Sequence, residues 1–210
     1  TPLHRVNVSE ERIIRTVAGL RPFRRNGFNV SAERRNDKVL VHNYGHGGGG
    51  ITLSWGSSHL AMELALATPH KQAAVLGCGA LGLTAARLMQ DRGWDVTILA
   101  RDLPPHTTSN IAGGQWSATS VYERTSVNPR FMGQFEQAQA HSYRYFQNLV
   151  GSKYGVMWIT NYSILGDEAP DAQPSLPERY PQFYPQWAIL GAGEHPFPVE
   201  RVHHYDTMLV

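Results

Sequence analysis

The stretch QAAVLGCGALGLTAARLMQDRGWDVTILA, residues 72–100, decides the fold. An apolar run of buried-strand type, QAAVL, enters the glycine turn GCGALG. ALGLTAARLMQ then places apolar residues at helical spacing until Gly93 stops the helix, and DVTILA (95–100) returns as a second strand. A strand, a helix and a strand within about 30 residues make one βαβ unit, with its two strands parallel. Gly77, Gly79 and Gly82 have the Gly-x-Gly-x-x-Gly spacing at the strand-to-helix junction that a dinucleotide site requires. Gly77 permits the tight turn, Gly79 admits a pyrophosphate to the backbone, and Gly82 lets the helix pack on the strand. Amides at the helix start hold the phosphate charge. Cys78 reads as a small filler inside the turn. An acid about 20 residues on should bind the ribose hydroxyls. Here the strand ends Leu99-Ala100-Arg101-Asp102, so Asp102 reaches the ribose late and Arg101 meets a phosphate, or the pair is a solvated strand end.

Upstream lies a second glycine-rich stretch, VHNYGHGGGGITLSWG (41–56). Gly47, Gly48, Gly49 and Gly50 make a surface without side chains ahead of a helical segment, SSHLAMELALA (57–67). Such a surface stacks against a flat ring, and uncompensated amides at its end favour a carbonyl oxygen gaining negative charge. A flavin is a ring of that kind, and Thr52 adds a hydroxyl donor beside Ile51. A flexible linker is the plainer reading, but the flanking VHNY and Trp55 argue against it. His42 and His46 lack a third ligand at a metal-site spacing, so they, like His203 and His204, read as core or supporting histidines.

The 210 residues suffice for one or two compact domains. Charged residues make up 17% and the formal net charge is +2, with basic residues spread along the chain, which argues against nucleic acid or a membrane surface as partner. Cys78 is the sole cysteine, so an internal disulfide is excluded. No apolar run reaches the roughly 18 residues that span a bilayer. Thr1 is not an initiator methionine, which leaves room for a removed leader, and HHYDTMLV (203–210) breaks off in what reads as a strand. Elsewhere the pattern predicts a short helix over 8–16 capped by Ser9, and strands FNVSAER and KVLVHNY joined by a turn at Asn36-Asp37. A long helix over 129–149, a strand over 154–165 and a proline-rich, loop-dominated remainder complete the pattern.

Four stretches, GLRPFR (19–24), VHNYGHGGGGITLSWG (41–56), VLGCGALGLTAARLM (75–89) and LPPHTTSNIAGGQW (103–116), together resemble the D-amino acid oxidase and D-aspartate oxidase family of FAD enzymes. The resemblance extends over most of the chain, in inverted order. In that family the nucleotide turn is N-terminal, and RPxR and HNYGHGG lie near the C-terminus. The chain therefore looks like a circular permutation. Residues 1–68 match the family's C-terminal segment, 69–130 its FAD-binding βαβ unit and flavin-lining loop, and 131–210 part of a substrate or cap domain. A permutation costs little where termini lie close together. The fold class implied is α/β, a Rossmann-like FAD-binding domain with a partial mixed-sheet substrate domain. The family's substrate-pocket tyrosines and further strands would fall after Val210. The resemblance thus implies that the remainder of the polypeptide, or a second chain, completes the substrate domain.

By the same resemblance both glycine stretches grip one FAD, at its pyrophosphate and at its isoalloxazine. Arg21 falls on the arginine of RPxR that pairs with the substrate carboxylate, which a planar guanidinium binds bidentately. Arg24 falls on the second arginine, with a structural or electrostatic role. The cofactor contacts implied are Gly77, Cys78, Gly79, Ala80, Leu81 and Gly82 at the phosphates, and Arg101 and Asp102 at the ribose. Thr108 and Ser109 contribute hydroxyls, Gly113, Gly114 and Gln115 line the flavin, and Gly47, Gly48, Gly49, Gly50, Ile51 and Thr52 meet its ring. Ser117 replaces a polar amide that lies near substrate in relatives. The activity implied is oxidative deamination of an amino acid, first of all a D-amino acid. Hydride passes to FAD, and reoxidation by oxygen gives hydrogen peroxide beside a keto acid and ammonia. Two other readings stay open: a non-catalytic flavin- or nucleotide-binding module that keeps the fold, and an NAD-dependent dehydrogenase, which leaves HNYGHGGGG without a role.

Overall fold

The structure, a computed structural model, describes residues 6–165 and 174–210; residues 166–173, within the proline-rich tail, lie outside the described residues. The chain divides into two compact units, one of Gly19–Met157 with Met208–Val210, the other of the residues through Ala18 with Trp158–Thr207. The divisions at 68/69 and 130/131 drawn from the resemblance both fall inside the first of these, because its helices pack on one another.

In the larger unit β1 (Asn29–Arg35) and β2 (Lys38–Tyr44) form an antiparallel hairpin, in register from Asn29 opposite Tyr44 to Arg35 opposite Lys38. Asn36 closes its turn with a left-handed φ of 57°, a conformation asparagine tolerates. β3 (Gln72–Leu76) and β4 (Asp95–Leu99) pair in parallel, joined by α2 (Ala80–Gln90), which is the βαβ unit that residues 72–100 predict. Gly93, at φ 76°, ends the helix, and the next amide, of Trp94, donates back to the Met89 carbonyl. The expectation of buried strands is corrected. Ala73, Val75, Val96 and Ile98 are half-buried, whereas Ala74, Leu76, Thr97 and Leu99 between them are exposed. Ala73 and Val96 pack toward the helices; the alternate residues lie on an open face.

Helix α1 (Gly50–Leu66) begins at Gly50 rather than at Ser57, because its small residues are packing surface and not loop. A Cβ on Gly56 would stand 1.9 Å from the Ala138 carbonyl oxygen, in α3 (Pro129–Gln147). The Gly56 amide also donates to Ser142 Oγ at 2.8 Å. α3 starts where Asn128 accepts the Phe131 N–H at 2.9 Å, with Pro129 in the first turn. On another side α1 meets α2. Thr84 Oγ1 lies 3.2 Å from the Ser54 carbonyl and 2.8 Å from Ser58 Oγ. Farther along, Met62, Ala65, Met89 and Trp94 share one apolar cluster. Gly50 is thus level with Leu81, Ser58 with Thr84, and Met62 with Met89, so α1 and α2 run in the same direction.

In the smaller unit β5 (Met157–Ile164), β6 (Ala188–Gly191) and β7 (Arg201–Leu209) form a sheet of order β5–β7–β6, with β6 antiparallel to β7. A one-turn helix, α4 (Leu176–Arg179), carries a capping box between Ser175 and Glu178. The helix expected over 8–16 is reduced to a 3₁₀ turn, Glu10–Arg12, with no buried residue and no side-chain cap from Ser9. A turn with no apolar face to bury does not propagate.

Candidate functional site

Gly77 turns the chain from β3 toward α2 at φ 107°, its N–H donating to the Leu99 carbonyl at 2.8 Å. A Cβ there would meet nothing within 4 Å, so conformation alone requires glycine and the space beside the turn is open. At Gly82 the reason is the reverse. A Cβ would stand 2.1 Å from the Gly77 carbonyl oxygen, so helix and strand approach only without a side chain. A Cβ on Gly79 would lie 3.0 Å from Ser109 Oγ, which accepts the Ala80 N–H at 2.9 Å. Beside the turn opens a cavity of about 290 Å³, walled by Gly77, Cys78 and Gly79, by Ala100, Arg101 and Asp102, and by Thr107, Thr108 and Ser109. Sequence reasoning missed Ala100 and Thr107. Thr107, whose hydroxyl donates to Asn110 Oδ1 at 2.8 Å, had one signal, its place in the same TTS run as Thr108 and Ser109.

Arg101 and Asp102 meet each other at the cavity mouth. Nε and Nη2 of Arg101 each lie 2.8 Å from Asp102 Oδ2, and this hydrogen-bonded carboxylate raises the guanidinium's pKa. Asp102 Oδ1 is left for another donor among the described residues.

The glycine run departs from expectation. Gly47–Gly49 is a 3₁₀ turn continuous with α1, not a loop ahead of it. Three of its amides are compensated: Gly47 donates to Pro22 O at 3.2 Å, Gly48 to Ser120 O at 2.9 Å, and Gly49 to His46 O at 3.0 Å. The chain also covers these glycines. A Cβ would lie 2.2 Å from Ser120 O at position 47, 3.0 Å from Thr119 O at 48 and 2.5 Å from Val121 Cγ2 at 49. Three of the four glycines therefore admit the segment 117–121. Gly50, whose Cβ would meet nothing nearer than 3.8 Å, is the roomy one. The hydroxyl donor expected at Thr52 is likewise corrected. Thr52 is buried, its hydroxyl donates to Ser117 O and accepts the Ser117 N–H, both at 3.0 Å, and the proton is committed. Ile51 is half-buried in the same turn. Around Gly114, at φ 77°, the backbone is bound as well: its carbonyl accepts the Val210 N–H at 2.7 Å, and the Trp116 N–H reaches Met208 O at 2.8 Å. Gln115 bridges to Leu209, and Gly113 has open space around it.

What the fold does bring together is the two helix starts. A Cβ on Gly50 would lie 3.8 Å from Leu81 Cδ2, and Ser58 Oγ donates to the Leu81 carbonyl at 3.2 Å. Because α1 and α2 run in one direction and Gly50 reaches the Leu81 side chain, their positive ends point toward the same side of the helix pair. Arg21 stands at the same glycine run, with Nη1 3.1 Å from the Cβ position of Gly48. It is exposed and pairs with no carboxylate among the described residues. Its loop is fixed by the Phe23 N–H on Arg21 O at 2.8 Å and by the bridge between Phe23 and His46. Arg24 is structural: Nε donates to Gly27 O at 3.1 Å and the guanidinium lies 5.4 Å from the Tyr44 ring centre. His46 is 1% exposed and stacks on Phe28 at 4.7 Å, with both ring nitrogens unpartnered among the described residues. Burial lowers its pKa from 6.5 to about 3, so the ring is neutral.

A family model of FAD-dependent oxidoreductases matches residues 72–193, over half of the chain. The chain belongs to that family, which implies a Rossmann-like α/β fold for its cofactor-binding part. Its similarity to curated proteins is local. It is 39% identical over 56 residues to a D-amino-acid oxidase of Rubrobacter xylanophilus, covering 27% of this chain and 17% of the relative. It is 41% identical over 64 residues to a D-amino-acid oxidase of Streptomyces coelicolor, covering 29% and 19%. To D-aspartate oxidase 1 of Caenorhabditis elegans it is 38% identical over 60 residues, covering 26% and 18%. The matched stretches span less than a fifth of each of these relatives. No solved structure matches the chain significantly. Among the described residues no helix is long and apolar enough to cross a membrane.

Proposed function

We propose that the protein oxidises an amino acid, first of all a D-amino acid, by passing the α-carbon hydride to FAD. One observation carries this reading: α1 and α2 start toward the same side, with Gly50 in reach of the Leu81 side chain and the unpaired Arg21 at the same glycine run. A phosphate-binding turn and a carboxylate-binding guanidinium thus belong to one face of one unit. The residues fit the nucleotide end of FAD. The opening at Gly77 has no side chain, and the adjoining cavity of about 290 Å³ offers Thr108 and Ser109 hydroxyls and an Asp102 oxygen.

FAD when bound supplies the hydride acceptor, and its reoxidation by oxygen yields hydrogen peroxide. The chain supplies position and field. Gly77, Cys78, Gly79, Ala80 and Leu81 face the phosphates, with Gly82 setting how closely the helix approaches. Asp102 holds the ribose while Arg101 neutralises it. Gly50 and Ile51, at the positive end of α1, lie toward the ring. Gly47, Gly48, Gly49 and Thr52 act indirectly, by seating the segment 117–121. Gly113, Gly114 and Gln115 border the ring side through their backbone. Arg21 takes the α-carboxylate in a bidentate pair and so fixes the α-carbon. An amine that arrives neutral needs no base from the chain.

The inverted order of motifs, with residues 67–71 alone linking α1 to β3, supports a circular permutation of the oxidase order. Full activity then requires the remaining polypeptide, or a second chain, to complete the substrate domain. FAD-loaded protein, mixed anaerobically with D- and L-amino acids, is expected to lose oxidised-flavin absorbance with D-isomers. Arg21→Ala should keep the flavin and raise the half-reducing amino acid concentration by about 10- to 100-fold, the worth of a charged hydrogen-bonded pair. Protein that binds no flavin, or bleaching indifferent to Arg21, refutes the proposal. Because the segment 117–121 covers Gly47, Gly48 and Gly49, a non-catalytic flavin-binding module is the second reading; it prevails if flavin binds and no amino acid bleaches it.

A further inference from the structure

The seam between α1 and α3 carries two paired rings that the cofactor turn and Arg21 leave unused. Trp55 stacks on Tyr145 with ring centres 3.7 Å apart. One turn farther along α1, His59 faces His141 with ring centres 4.0 Å apart and planes at 30°. Trp55 is thus level with Tyr145 and His59 with His141, so the two helices run antiparallel. Gly56 fixes their approach, lying against Ala138 and donating its N–H to Ser142 Oγ. His59 is half-buried and His141 exposed, and neither imidazole has a hydrogen-bond partner among the described residues. Glu63, one turn beyond His59, is near enough for its charge to act on His141, where it opposes that of Arg144.

Two imidazoles on a solvent-facing seam gain little by burial, and their ring nitrogens are left to a ligand from outside. Imidazole nitrogen binds divalent transition ions at about 2.0–2.1 Å, which sets the ring centre about 3.2 Å from the ion. Two rings at right angles about one ion then have centres about 4.5 Å apart, and at the tetrahedral angle about 5.2 Å. The observed 4.0 Å is nearer the first, the arrangement of tetragonal copper(II) or nickel(II) rather than of tetrahedral zinc(II). The rings lie face to face. Turns about their χ2 torsions, which no hydrogen bond opposes, aim one nitrogen of each at a common point. No third histidine, cysteine, aspartate or glutamate joins them among the described residues, so water fills the other positions.

We propose that His59 and His141 together bind one divalent transition ion, copper(II) first in affinity, and so clasp α1 to α3. The order of affinities among such ions puts copper(II) ahead, and the short ring separation favours it further. The ion ties α1, whose start is Gly50, to its neighbour. This inference does not depend on amino acid oxidation and holds equally for a binding module.

The test uses the full chain with Cys78 replaced by alanine, since a thiol would itself ligate or reduce copper. Equilibrium dialysis against copper(II) counts the bound ions, and electron paramagnetic resonance reads the nitrogens on each. The double variant His59→Ala/His141→Ala, with unchanged far-ultraviolet circular dichroism, should bind one copper(II) fewer. His141→Gln alone, at an exposed position, should weaken that ion at least about 10-fold and remove one nitrogen from its signal. Nickel(II) should displace it more readily than zinc(II). An unchanged count in the double variant overturns the proposal, because the copper then sits on other histidines. So does a His141→Gln protein with wild-type affinity, or zinc(II) displacing the ion as readily as nickel(II).

Discussion

Acid should destabilise the larger unit through His46, well above the range in which carboxylates protonate. The ring is 1% exposed, stacked on Phe28, and its pKa is lowered by burial from 6.5 to about 3. The unfolded chain therefore binds the proton more tightly than the native one. Stability is fully present above pH 6.5 and is lost as pH falls from there toward 3. At about 1.4 kcal/mol per pH unit, the loss between pH 6.5 and 5 is about 2 kcal/mol. That is a large share of the roughly 5–15 kcal/mol that holds a domain folded. His141 acts in the same direction, its pKa lowered by burial and then by His59 and Arg144. The carboxylates held low by hydrogen bonds, Glu33 with Arg35 and Glu123 with Arg25, contribute only below about pH 4.5. Urea unfolding followed by tryptophan fluorescence between pH 7 and 5 reads the slope. His46→Gln should be less stable at pH 7, from lost stacking, and its slope shallower by about 1.4 kcal/mol per unit. A variant with the wild-type slope would show that His46 does not carry the effect.

The two glycines of the nucleotide turn should fail for different reasons. Gly82→Ala drives a Cβ into the Gly77 carbonyl and should cost about 2–3 kcal/mol in a thermal melt, with weaker FAD binding because the turn must shift. Gly77→Ala meets no atom and should cost only the about 1–2 kcal/mol of a left-handed φ. Asn128→Ala should lose about 1 kcal/mol of helix capping and leave FAD affinity unchanged. Asp102→Ala frees Arg101; in fluorescence titrations it should weaken FAD, which carries the adenosine ribose, and leave FMN unaffected.

The βαβ unit was legible because each of its signals is local. Two apolar runs, the glycine turn and the Gly93 stop all lie within residues 72–100; the parallel pairing, the turn at Gly77, the close approach at Gly82 and the stop at Gly93 are as predicted, while the strands are half-buried rather than buried. The four-glycine run was legible as a place of close approach, but not as to what approaches. A flat ligand and a crossing backbone make the same demand for a missing Cβ. Only tertiary structure shows that Ser120 and Val121 supply the contact at Gly47 and Gly49. Thr52 was misread for a related reason, since its partner Ser117 is distant in sequence. The start of α1 was placed late because GITLSWGSS holds few apolar residues, and its packing against α2 and α3 is made by small and hydroxyl side chains instead.

The order in which the two glycine turns occur along the chain has no bearing on where they end up. β2, its glycine turn and α1 form one strand–turn–helix unit; β3, its turn and α2 form another. With α1 and α2 packed in the same sense, each unit delivers its strand's carboxyl end and its helix's positive start to one edge of the layer. That edge collects the Gly77 opening, Gly50 and Arg21 whichever unit is translated first. Under the proposed function, the cofactor site depends on how the two units pack, through Ser54, Ser58 and Thr84, rather than on chain order. Moving the chain ends from one linker to another leaves such a site intact as long as those helix contacts survive, and replacing Thr84 should disturb it more than any cut between Ala67 and Lys71.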